Sequence, residues 1–340
     1  MEVQLCDGSK SNLLGAYMNK CKGWTSGAVI RIVSLMFCCM VIMAGCTDIS
    51  EGEGPVTVTI AMRLDNSRDL SDPVEEVGRC YAEVYRSSAE GDLEQLVTTN
   101  GGSVVVELTF NEEDSSWTGT LELAEQCNGM IAAVAVAAGA DAQQEPATRY
   151  YGMGRVNTQE STSVVFPAKK GYALQEEGPS GGYVFYEQTN KEWLMTGWRY
   201  LEAAPADWFG ESIDPMCIWG FNNRLTQVTS KEFGRGERNT IGLCVLGESD
   251  PDTLAKTAVG HCSDASCGEC IWYLPSEDEL TCMHTQLALL DGFAEDGFYW
   301  SSTESDEYHA MCVNIAGSGE SLSVSKALNN LVYVKPIRNF

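Results

Sequence analysis

From Val56 onward, apolar and polar residues alternate in short runs. VTVTIAM (56–62) has a period of two, and CYAEVYR (80–86), SVVVELTF (103–110), WTGTLELA (117–124), MIAAVAVAA (130–138), RYYGMGRV (149–156) and STSVVFPA (161–168) follow it. Alternation of this kind turns one face of a strand to a core and the other to water. Polar turn-like segments (NEEDSS, EQCNG, VNTQES) separate the runs. DLSDPVEEVG (69–78) reads as a loop or one helical turn. Seven short strands without a convincing helix predict an antiparallel β-sandwich over residues 55–168.

The pattern changes at KKGYALQEEGPSGG (169–182), where Gly, Lys and Glu dominate. This places a linker at 169–177 and a second domain at 178–340. GGYVFY (181–186) and WLMTGWRYLEA (193–203) read as strands, and Asp252 to Cys262 reads as a helix with Ala255, Ala258, Val259 and Cys262 on one face. Ser276 and Glu279 have the spacing of a capping box, in which the hydroxyl takes a backbone N–H three residues on and the Glu reaches back. Leu280, Met283, Leu287 and Leu290 then form an apolar stripe at helical spacing, ended by Asp291-Gly292. FYWSST (298–303), HAMCVNIA (309–316), SLSVSKA (321–327) and LVYVKPIR (331–338) predict an antiparallel meander. No period of 20–50 residues repeats, which argues against a solenoid or propeller. The expected class is mostly β, with an α+β second half.

The N-terminus reads differently. Arg31 precedes the apolar run IVSLMFCCMVIMAGC (32–46). At about 14 residues the run is short for a bilayer span and fits the h-region of an export signal. Small residues before Cys46 are what lipoprotein signal peptidase cuts, so residues 1–45 are expected to be a signal peptide and Cys46 the lipid-attachment site. A short buried helix or a true membrane anchor is the alternative. The acidic segment 46–54 suits a tether. A start at Met18 would give an n-region with Lys20, Lys22 and Arg31, which makes residues 1–17 a candidate mis-assigned start.

The chain carries a net charge of -26, and residues 1–45 hold four cations against two anions, which leaves -28 on the remainder. That opposes nucleic-acid binding, which needs cations to displace counterions. It also opposes docking on anionic lipid or sulfated glycan. Beyond Cys46 stand Cys80, Cys127, Cys217, Cys244, Cys262, Cys267, Cys270, Cys282 and Cys312. Export makes disulfides the default reading, with Cys80–Cys127 closing the sandwich, up to three bridges in the second domain and an odd thiol left over.

Within the second domain, GGYVFY, WRYLEAAPADW (198–208), WG (219–220), NTIG (239–242), WYLPSEDEL (272–280), GF…YWSSTE (292–304) and KPIRNF (335–340) run in one order. This half resembles the Legionella collagen-like protein C-terminal domain family, a bacterial domain of unknown function. The resemblance implies a C-type-lectin-like fold, distantly similar to formylglycine-generating enzymes, an envelope location and, in some members, adhesion to host glycans. The strand order of the first half is like that of prealbumin-like or immunoglobulin-like modules.

Among the fingerprint aromatics, Trp198, Tyr200, Trp272 and Trp300 are candidates for a ligand-stacking platform; core packing is the competing reading. His261, Cys262, Cys267 and Cys270 include one C-x-x-C, yet their spacing matches no standard zinc finger. The acidic groups Glu248, Asp250 and Asp252, and Glu277, Asp278 and Glu279, form no EF-hand loop. No G-x-S-x-G elbow, P-loop or H-E-x-x-H is present, and Ser301, Ser302 and His309 lack a third group. No cofactor, metal or catalytic residue is expected. The sequence therefore predicts a lipid-anchored envelope protein, on the surface or periplasmic face of the outer membrane, with a binding or adhesion module for a glycan or protein ligand. The alternatives are a structural envelope subunit without a ligand and, last, an enzyme of the formylglycine-generating type of fold.

Overall fold

The computed structural model describes most of the chain from Val56 to Phe340; residues 1–55, 65–75, 88–92, 96–104, 124–127, 140–146, 158–161, 248–257, 265–271 and positions 212, 229, 291, 296, 328 and 329 lie outside the description. The expected signal, Cys46 and the expected tether fall there, as do Cys127, Cys267 and Cys270. The described residues form a mostly β molecule with an α+β C-terminal half.

The first half contains β1 (Val56–Leu64), β2 (Val77–Ser87), β3 (Leu93–Gln95), β4 (Val105–Glu107), β5 (Thr109–Asn111), β6 (Ser116–Leu123), β7 (Asn128–Ala137), β8 (Thr148–Asn157) and β9 (Thr162–Lys170). Alternation does what it predicts in β1: Val56, Val58, Ile60, Met62 and Leu64 are buried, while Thr57 and Arg63 are exposed. Each such side chain contributes about 1.5–3 kcal/mol through burial. β1 pairs antiparallel with β6, setting Met62 opposite Trp117. Two segments link β2, β7 and β8 to β1 and β6 within one nine-stranded sheet. β4 pairs with β2 and, past Leu108, β5 pairs with β6. β9 pairs along β1 and ends on β8 through Tyr150–Lys170 and Tyr151–Lys169. The β1–β9 pairing is parallel, a departure from an all-antiparallel sandwich: β9 runs antiparallel to β8 and in the direction of β1. β3 has no counterpart in the alternation pattern.

The second half has a three-stranded sheet, β10 (Tyr183–Glu187), β11 (Tyr200–Ala203) and β17 (Ile337–Asn339). A five-stranded sheet takes the order β12 (Met216–Cys217), β16 (Val332–Tyr333), β13 (Phe298–Glu304), β14 (His309–Asn314), β15 (Ser321–Ser325). Helices α1 (Trp193–Thr196), α2 (Gly236–Gly247), α3 (Ala258–Asp264) and α4 (Glu277–Leu287) cover them. α4 begins at the capping box, with Glu279 N–H donating to Ser276 Oγ at 3.3 Å and Ser276 N–H donating to Glu279 Oε2 at 2.7 Å. Its stripe, Leu280, Met283 and Leu287, is fully buried against Phe185, Tyr299 and Ile337.

Three sequence expectations change. WLMTGWRYLEA is a helical turn, Gly197 in the left-handed region (φ 81°) and only then a strand. α3 runs to Asp264, and the expected helix start at Asp252 lies outside the described residues. The last run splits into β16 and β17 around Lys335-Pro336, since proline has no N–H for a ladder. Lys169 and Lys170 end β9, and Gln175 N–H and Val184 N–H tie residues 175 and 176 to the start of β10.

Candidate functional site

Arg199, Glu202, Glu279, Glu304, Lys335 and Arg338 of the fingerprint segments are buried. Glu202 on β11 is fully buried and accepts hydrogen bonds from Ser180 N–H (3.0 Å), Gly182 N–H (2.9 Å) and Arg338 Nε (2.7 Å). Glu304, at the end of β13, accepts from the N–H groups of Thr226 and Gln227, each at 2.9 Å, and from Lys326 Nζ at 2.6 Å. Lys326 lies 4.8 Å over the Trp219 ring. Asp214 accepts from Lys335 Nζ (2.7 Å), Trp208 Nε1 (2.7 Å) and Tyr299 Oη (2.9 Å). Glu279, besides closing the capping box, accepts from Gly234 N–H at 3.0 Å. Gly236 approaches it so closely that a Cβ there would collide with its carboxylate. Glu202, Glu304 and Glu279 each pin a loop by its backbone amides, Asp214 gathers three side chains, and a buried polar group needs such partners.

Burial shifts the ionisation of these groups. Desolvation raises the Glu279 carboxyl to about 7, with the Ser276, Gly234 and Gly236 hydrogen bonds pulling the other way. Desolvation also raises Asp214 and lowers Lys335, and their mutual attraction opposes both shifts. The carboxylates accept from the chain's own amides, cations, indole and hydroxyl, an arrangement that braces loops. Among the described residues, no group of three or more His, Cys, Asp or Glu side chains could hold a metal ion.

The aromatics separate into two kinds. Tyr200 and Trp300 are fully buried and Trp272 is 5% exposed. Tyr200 packs with Tyr151 and Trp193, and Trp300 packs with Trp219 and Leu274 while its indole donates to Cys217 O at 2.9 Å. Arg338 covers Trp272 at 5.6 Å. Trp198 alone of the four is half-buried, and its neighbours are two rings the sequence reading passed over. Tyr186 lies 6.3 Å from it, and Phe233 lies 4.2 Å from Tyr186. The structure thus does not bring Trp198, Tyr200, Trp272 and Trp300 together as one surface. It assembles Tyr186, Trp198 and Phe233 instead, from β10, the turn before β11 and the loop that Glu279 holds. Gly234 gives that loop a backbone at φ 78°, which side chains rarely adopt, beside the Trp198 ring. Only the aromatic followed by Gly in KEFGRG hinted at this.

The remaining candidates are placed as follows. Ser301 Oγ donates to Met311 O, and Ser302 Oγ accepts from Asn239 Nδ2. His309 Nδ1 faces Asp306 at 2.8 Å. Glu277 accepts from Ser321 Oγ at 2.6 Å, and Glu248, Asp250 and Asp252 lie outside the described residues. Cys80, Cys217, Cys262, Cys282 and Cys312 stand as thiols, so the expected bridges do not appear among the described residues. These side chains serve as small apolar core groups. Burial raises Cys80 and Cys312 to about 12 and Cys282 to about 11, and raises Cys262 well above its usual range. Cys244 is half-buried.

No protein-family model matches the chain, and no curated protein matches it. Among solved structures, a fimbrial protein from Bacteroides ovatus ATCC 8483 is similar at a TM-score of 0.34 and 12% identity, over 84% of this chain and 71% of that one.

Proposed function

We propose that this chain is an exported, lipid-anchored envelope protein whose C-terminal half is a binding or adhesion module, with Tyr186, Trp198 and Phe233 as its contact surface. One observation carries the reading. Tyr200, Trp272 and Trp300 and the acids Glu202, Glu279 and Glu304 are buried in internal bracing, whereas Tyr186, Trp198 and Phe233 are only half-buried and pack on one another. Aromatic faces of that kind suit the C–H faces of an uncharged sugar or an apolar protein side chain. The acidic exterior disfavours sulfated and phosphorylated ligands. The export signal, Cys46 and the acidic tether support the envelope location, and the resemblance of residues 178–340 to the lectin-like family supports the module.

The test is a screen of the mature protein against neutral glycans and matrix proteins. A ligand found there should lose at least about tenfold in affinity on Trp198→Ala or Phe233→Ala, with the melting temperature nearly held. Leu289→Ala, at a fully exposed position, is the control. Full affinity in both aromatic variants would remove the assignment. A second reading, a structural envelope subunit without its own ligand, is favoured by the burial of Tyr200, Trp272 and Trp300. A screen without a ligand would support it.

A further inference from the structure

Arg199 belongs to the WRYLEA segment of the C-terminal half, yet its guanidinium reaches into the first half. Nη2 donates to Thr148 Oγ1 on β8 at 3.0 Å. Nε and Nη2 both donate to Glu187 Oε1, at 3.0 and 2.8 Å. The guanidinium lies 5.1 Å from the ring centre of Tyr151, 5.0 Å from Trp193 and 6.0 Å from Tyr200. Arg199 is 5% exposed.

Around it, Tyr85, Ala132 and Tyr151 of the sandwich share one buried cluster with Val184, Trp193, Leu194 and Tyr200 of the second half. Tyr151 meets Trp193 edge-on at 5.6 Å and Tyr200 at 5.7 Å. Tyr172, from the segment between the halves, packs on both Tyr200 and the C-terminal Phe340. At the rim, Lys191 lies 4.2 Å over Tyr85 and 3.6 Å from Glu83. A flexible two-domain chain would show a polar, poorly packed junction. Here the junction is packed like a core, with a planar cation stacked among rings from both sides, a role that Lys cannot copy.

We infer that the sandwich and the C-terminal half form one cooperative body, with Arg199 as the positioning residue of a hinge-free joint. The C-terminal surface then cannot swing on the half that carries the tether. A partner bound to the C-terminal half therefore meets it at one fixed angle to the tethered half, and a pull on that half passes to the sandwich through the Arg199 cluster.

The experiment is scanning calorimetry with hydrogen exchange on the full mature chain. The wild type should unfold in one transition. Arg199→Ala should separate it into two and speed exchange at β8, β10 and β11 by at least about tenfold while β1 and β6 keep their protection. Arg199→Lys should fall between, and Thr148→Val, which removes only the cross-joint hydroxyl, should loosen the same amides by a smaller factor. Two transitions in the wild type would overturn the inference. So would a single transition in Arg199→Ala that merely moves to lower temperature with protection lost evenly across both halves, because that is the signature of a residue acting on stability alone.

Discussion

Glu202 and Arg338 are 136 residues apart and meet at 2.7 Å, with the carboxylate wholly buried and the guanidinium against Trp272 and Phe340. The pair links WRYLEA to KPIRNF and, through the amides of Ser180 and Gly182, to GGYVFY. Three fingerprint segments that look independent in sequence are one structural unit.

Removing one member of that pair should be costly. Arg338→Met leaves the Glu202 carboxylate buried without its cation, and breaking a buried pair from one side costs about 3–5 kcal/mol. Arg63 and Asp114 are also an ion pair, at 3.4 Å, but both side chains are well exposed. Asp114→Asn should change stability by less than about 1 kcal/mol. Urea denaturation of the two variants separates these values, and equal losses would mean that Glu202–Arg338 is not a brace.

Glu279 sets a pH dependence whose sign follows from its environment. Burial raises its carboxyl from 4.5 to about 7, so the folded chain holds this proton more tightly than the unfolded chain. Stability from this group is full below pH 4.5 and is lost as pH rises toward and through 7; a displacement of this size is worth about 3 kcal/mol across the window. Glu279→Gln places an NH2 group among the amides of Ser276, Gly234 and Gly236 and should be less stable throughout. The informative quantity is the slope. The difference in unfolding free energy between wild type and variant should shrink as pH rises from 5 to 8, and a difference independent of pH would contradict the shift.

How much of this was legible in sequence depends on distance along the chain. The alternation in 56–62 and the Ser276–Glu279 spacing are local signals, and local physics determines both β1 and the start of α4. α2 was missed because GERNTIGLCVLG begins and ends on glycine and carries Gly242 and β-branched residues inside, and its helix rests on packing against β13 and α3. The bracing roles of Glu202, Glu304 and Asp214 depend on cations 22 to 136 residues away. Nothing in composition or periodicity names such a partner. The same holds for the aromatic surface: Trp198 could be singled out, but its companions Tyr186 and Phe233 are set by tertiary approach.

The lipid anchor is tested apart from the fold. Arg31, the apolar run and Ala44-Gly45 before Cys46 predict cleavage and acylation at that cysteine. Cys46→Ser should abolish both, read as loss of labelled palmitate and a slower-migrating precursor. Undiminished labelling of the variant would remove the anchor from the proposal and leave the C-terminal module untouched.

Ser276 and Leu280 separate scaffold from site within WYLPSEDEL. Ser276 is fully buried, its hydroxyl accepts from Glu279 N–H, and Ser276→Ala should cost about 0.5–2 kcal/mol as a lost cap. Leu280 is fully buried between α4 and the sheets, and Leu280→Ala should cost about 2–5 kcal/mol as a cavity. The larger loss should therefore come from Leu280, in thermal and chemical denaturation alike. Glu279 also holds the loop that carries Phe233, so Ser276→Ala should weaken any ligand of the Tyr186–Trp198–Phe233 surface only as far as that loop loosens, by less than Phe233→Ala does. A Ser276→Ala protein of unchanged melting temperature that no longer bound the ligand would move the site from the aromatic rings to the helix start itself.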